Sequence, residues 1–299
     1  MKRFAIWAGA CVALWAPSTL AAKPKADCTI ARPANGDLAR HAAAFFPKAG
    51  DAELDRLAAC LGDPDPAIRD DFAFTLWSEG LRGQHLTPAQ MRHALYMLTK
   101  MMAAPDDKAG FRRPFAALTL SEIARADRIT AFLTEAELHG LVESGASYLR
   151  GVTDYRGFVG GEGWRHGVAH GADLMLQLAL NPRLKRADAD LLLSAIAAQV
   201  APASSPSYIH GEPARLARPM LFLAKRADID DAALAAWFKA LQPGDAPRWK
   251  APYGDMARLA AVHNSTAFAN ALYVGAAASA DPQVRRLAPL AAELLKTLS

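Results

Sequence analysis

Asp65-Pro66-Ala67-Ile68-Arg69 and Asp281-Pro282-Gln283-Val284-Arg285 share one signature, Asp-Pro-x-aliphatic-Arg, near the two ends of a 299-residue chain. In each, Asp is placed to cap the first amides of a helix. Pro takes the first helical position, where a missing N–H costs nothing. Each signature follows the end of one helical run and opens another, which is the sequence habit of stacked helical hairpins. A hairpin alone buries only one face, so neighbours must stack to complete a core. The expected fold is all-α, an irregular α-α array of HEAT-like type. The middle of the chain obeys no fixed repeat length.

Working outward, the same grammar continues. Asp51 to Leu61 carries an apolar stripe at Leu54, Leu57, Ala58 and Leu61, and Gly62-Asp63-Pro64 ends it. Thr87-Pro88 opens a helix through Leu95 and Met102, and another is centred on Phe115, Leu118 and Ile123. Thr134 and Glu137 form a capping box ahead of Leu138 and Leu141. Further helices are expected over 164–180, 188–199, 213–226, 230–241, 255–279 and 282–298. Strand-like alternation reaches useful length nowhere.

Composition agrees. Hydrophobic residues make up 52% and charged residues 21%, with mean hydropathy +0.03, which excludes a disordered chain. Ala and Leu far outnumber Val and Ile, which argues against a sheet-based enzyme. Residues 1–22 read as a signal peptide: Lys2 and Arg3, an apolar run from Phe4 to Ala16, a break at Pro17-Ser18 and small residues to Ala22. The run is too short to span a bilayer. Cleavage would leave residues 23–299 as one helical domain, periplasmic or secreted, with no stable membrane anchor. Losing Lys2 and Arg3 from 34 basic and 30 acidic residues leaves a net of about +2, too little for a nucleic-acid binder. Export also changes how the cysteines read. Only Cys28 and Cys60 survive cleavage, with no CxxC, so a Cys28–Cys60 bridge is expected.

The unusual stretch is 150–180. Gly151, Gly157, Gly160, Gly161, Gly163, Gly167 and Gly171 crowd into it, and the last two sit in a helix against propensity. Close packing or a nearby ligand must compensate. His166 and His170 are four apart and Asp173 three further, all on one helical face, and Glu162 would extend the stripe one turn earlier. Such a His pair suits a divalent metal such as Zn, with Asp173, Glu162 or a residue distant in sequence as third ligand. The pair equally suits two packed imidazoles orienting a buried helix. The zincin pattern needs Glu after the first His, and Gly167 stands there instead. Asp154, Arg156, Glu212 and Arg215 either line a polar pocket with this helix or brace successive hairpins. Trp164 is either a stacking platform or core.

The run Asp154-Tyr155-Arg156-Gly157-Phe158-Val159, Gly163-Trp164-Arg165-His166, Ala169-His170 and Ala172-Asp173-Leu174 resembles the signature of an uncharacterised bacterial family, domain of unknown function 2785. Phe111-Arg112-Arg113-Pro114-Phe115 resembles its upstream block and Gly211-Glu212-Pro213-Ala214-Arg215-Leu216 its downstream block. The resemblance spans about residues 50–245. It implies a helical repeat-like fold and no established activity, and Pro114 replaces the hydroxyl residue of the upstream block. Two functions follow as expectations. One is an exported helical-repeat module that binds a peptide, glycan or protein through a pocket around the His helix. The other is a hydrolase or metal-dependent enzyme centred on His166 and His170.

Overall fold

The computed structural model describes residues 28–33, 36–204, 206–244, 249 and 254–298. The signal-peptide expectation for residues 1–22 lies outside them. Helices α1 (Leu38–Phe45) and α2 (Asp51–Ala59) lead to a continuous helical rod. That rod comprises α3 (Pro66–Ile68), a π-helical stretch (Arg69–Phe74) and α4 (Thr75–Arg82). Next come α5 (Pro88–Ala103), α6 (Arg112–Ile129) and α7 (Glu135–Arg150). The short strands β1 (Phe158–Val159) and β2 (Gly163–Trp164) follow, then α8 (Gly167–Ala179) and α9 (Arg186–Val200). Helices α10 (Glu212–Leu223), α11 (Asp231–Leu241), α12 (Met256–Ala277), α13 (Pro282–Arg285) and α14 (Leu287–Thr297) complete the chain. Among the described residues the fold is all-α but for one two-residue strand pair.

Alternate helices lie side by side in two rows. One row runs α4, α6, α8, α10, α12 and α14; the other runs α2, α5, α7, α9 and α11. This is the stacking that one-sided helical pairs need to close a core. Helix lengths from 3 to 22 residues nevertheless follow no fixed period. A continuous core runs through both rows, with Phe46, Trp77, Leu120, Met175, Leu216 and Phe268 fully buried. No helix among the described residues is long and apolar enough to cross a membrane.

The two Asp-Pro signatures are one structural device used twice. Asp65 accepts from the Ala67 amide at 3.0 Å, and Asp281 from the Gln283 amide at 2.9 Å. The Arg of each then reaches back over the turn. Arg69 donates from Nη1 to the carbonyls of Asp63 (2.9 Å) and Pro64 (3.5 Å). Arg285 donates from Nη1 to those of Ser279 (3.1 Å) and Ala280 (2.7 Å). The side chain thereby satisfies carbonyls of the turn that follows the preceding helix, where the helical ladder supplies no donor. Asp65→Ala should therefore cost about 1 kcal/mol in urea unfolding, and Asp281→Ala about the same. A loss in neither would mean that the caps are redundant with the Arg contacts.

Thr87–Gln90 and Thr134–Glu137 form capping boxes. Cys28 and Cys60 form a disulfide, with Cα atoms 4.7 Å apart, that ties the first described residues to the end of α2. The helix expected at 164–180 starts only at Gly167, because Gly163-Trp164 pairs with Phe158-Val159 in a hairpin. Gly161 (φ +79), in the turn of that hairpin, and Gly163 (φ +78), at the start of β2, both lie in the left-handed region. The last expected helix is interrupted at Arg286, between α13 and α14.

Candidate functional site

Glu162, expected one turn up the helical stripe, instead sits in the hairpin turn. Its carboxylate takes Arg165 Nη2 at 2.6 Å and its carbonyl takes Arg69 Nη2 at 2.9 Å. Arg69 is fully buried and Arg165 is buried. Their guanidinium carbons lie 4.0 and 4.3 Å from the centroid of the Phe111 ring. The hairpin is thus bolted to the N-terminal helices by two cations sharing one aromatic ring.

Beyond this anchor the chain turns sharply. His166 caps α8 with φ +57 and ψ +39, a left-handed conformation that costs a non-glycine residue about 1 kcal/mol. Its Nε2 stands 3.0 Å from the His210 carbonyl, an acceptor only, so Nε2 carries the proton and Nδ1 is the acceptor of the neutral ring. The Trp164 indole stacks on this imidazole at 4.6 Å and 22°. Phe158 and His210 meet the indole edgewise at 5.2 and 5.6 Å. Trp164 remains 37% exposed and Phe158 54%. Gly157 is obligatory here, because a Cβ would lie 1.9 Å from the His210 ring.

His170 lies one turn inward, 5.8 Å from His166 between ring centroids and edge-on to Phe115 at 5.1 Å. Burial, reinforced by His166 and Arg215, lowers its pKa to about 3, so the ring is neutral. Burial lowers the pKa of His166 as well. His170 Nδ1 has no hydrogen-bond partner, which is uncommon for a buried polar atom.

Asp173, expected as a third ligand beside the two imidazoles, is instead taken up in an ion pair. It pairs with Arg215 of α10, while burial raises its pKa against the pull of that cation. Glu212 is buried, and its Oε2 accepts from the His210 amide at 2.9 Å. Asp154 and Arg156 turn away from the His pair. They bond each other at 2.5 Å, and Arg156 Nη2 reaches the carbonyls of Lys108 and Ala109 at 3.3 and 3.4 Å. Trp164, His166, His170, Asp173, Glu212 and Arg215 therefore gather around α8, whereas Asp154 and Arg156 brace a neighbouring loop. No group of three or more His, Cys, Asp and Glu side chains among the described residues is placed to hold a metal ion.

Gly167 and Gly171 serve close helix packing. A Cβ at Gly171 would meet Leu149 at 3.0 Å and Tyr148 at 3.1 Å on α7. His210 and Phe158 escape a reading of helical spacing, since both lie outside helices. The only sequence hint of His210 is its place directly before the Gly211-Glu212 block.

The molecule is thus an all-α protein with an aromatic and imidazole cluster at the start of one helix. It belongs to a family described as Protein of unknown function (DUF2785), whose model matches residues 98–274, from within α5 to within α12. The match covers the Trp164–His170 cluster and Arg215, and leaves out the Asp65–Arg69 cap. No curated protein and no solved structure matches the chain.

Proposed function

We propose that this chain is an exported helical binding module that receives a peptide, glycan or protein ligand on the Trp164–His166–His210 face. The observation that carries the reading is the left-handed His166. Its backbone is held in a costly conformation that stacks a neutral imidazole beneath an exposed indole. Strain of this kind in a well-packed surrounding is a mark of a functional position. An indole with one face backed and part of its surface in solvent suits stacking on sugar rings or apolar side chains. Export is supported by the charged start and apolar run before Pro17, and by the Cys28–Cys60 bridge. An enzymatic reading has no comparable support, because no nucleophile, base and orienting group come together around α8.

The test is an array of glycans and peptides probed with the full chain and with Trp164→Ala. The parent should retain specific ligands, and Trp164→Ala should bind them at least about tenfold more weakly, which is about 1.4 kcal/mol. The melting temperature should change little, because Trp164 is partly exposed. Ligands held equally well by folded Trp164→Ala would place recognition elsewhere.

A further inference from the structure

Two clefts of about 360 and 380 Å³ open beside α7, and Arg113 and Tyr148 line both. Arg113 is the second residue of α6 and is half-buried. Its backbone amide donates to Asp107 Oδ2 at 2.9 Å, and its Nε donates to the Met102 carbonyl at 3.0 Å. Its guanidinium carbon stands 5.7 Å from the centroid of the Tyr148 ring. The side chain is therefore fixed at its base while, among the described residues, no hydrogen bond or ion pair reaches its two terminal nitrogens.

Of the acids that line the clefts, Asp107, Asp154 and Glu143 are already engaged, and Asp106 stands exposed on the wall of the first. Asp107 Oδ1 accepts from the Gly110 amide at 3.0 Å, and Asp154 is taken by Arg156. Glu143, on the wall of the second cleft, leans to His139 Nε2 at 3.5 Å. Pro105, Val152 and Met102 supply apolar wall. Tyr148 donates its hydroxyl to the Gly167 carbonyl at 3.2 Å, so it is locked as a flat neighbour and offers the cleft no competing charge. A guanidinium positioned through Nε, with both terminal nitrogens open to a cleft, matches the paired oxygens of a carboxylate.

We propose that Arg113 makes this double cleft a carboxylate-binding site, distinct from the Trp164 face, for the terminal carboxylate of a peptide or a small organic acid. The site stands or falls independently of the Trp164 reading.

Calorimetric titration of the full chain tests it with N-acetyl-trialanine, the same peptide as its C-terminal amide, and propionate. The acid peptide should bind at least about tenfold more tightly than the amide. Folded Arg113→Gln should lose that difference. Propionate matching the acid peptide would support the site with a small acid as its source; propionate binding more weakly would support a peptide terminus. If Arg113→Gln fails to fold, the acid–amide comparison on the parent chain still decides. Acid and amide binding alike, no binding by any probe at millimolar concentration, or undiminished binding by folded Arg113→Gln would each overturn the proposal.

Discussion

Arg69→Ala should destabilise the protein by about 3–5 kcal/mol, the largest loss expected from any single side chain described above. The side chain is fully buried. It bonds Asp70 at 2.6 Å, the Asp63 carbonyl at 2.9 Å and the Glu162 carbonyl at 2.9 Å, and it lies 4.0 and 5.0 Å from the ring centroids of Phe111 and Phe115. Truncation leaves three carbonyls, those of Asp63, Pro64 and Glu162, and one carboxylate without their donor and opens a void between two aromatic rings. Arg69→Lys should recover less than half of the loss, since one ammonium cannot replace a planar fork. Urea unfolding gives the number, and a cost below about 1 kcal/mol would show that the cation is not the bolt. A second readout follows from the Glu162 contact. With Arg69 gone, the hairpin that presents Trp164 loses its tie to the N-terminal helices, so Trp164 emission should shift toward that of solvated indole.

Reduction of the Cys28–Cys60 bridge should cost about 3–4 kcal/mol. The disulfide closes a separation of 32 residues, and constraining such a loop in the unfolded chain is worth about that much in the chain-entropy model. Cys60 is fully buried at the end of α2, so Cys60→Ser adds a buried hydroxyl to the loss. For a chain of this size each kcal/mol lowers the melting temperature by about 2–4 °C, so reductant should lower it by about 6–16 °C. Melting curves that coincide with and without reductant would contradict a structural role for the bridge.

The helix starts were legible because capping is local chemistry. Thr87, Thr134, Asp65 and Asp281 each meet an amide two or three residues ahead, so sequence alone exposes them. The disulfide was legible through the shortage of alternatives once residues 1–22 are set aside. The left-handed turn at His166 was not legible. Spacing of four places two histidines on one face only if both lie in the helix, and His166 stands just outside it. Glycine excess marked the stretch ahead of α8 as unusual but did not show that Phe158 and Trp164 would pair across a hairpin. The burial of Arg69 was hidden for another reason. A charged residue reads as surface, and its compensation comes from Glu162 and Phe111, far along the chain. The Arg113 cleft is likewise assembled from α5, α6, α7 and the loops around them, which no local pattern announces.

The proposed ligand face at Trp164, His166 and His210 is open to direct observation. A crystallographic screen of small sugar and peptide fragments tests it most directly. Fragments should stack on the exposed Trp164 indole, with polar groups turned toward His210. A screen that fills other surfaces of the molecule and leaves Trp164 bare would contradict it.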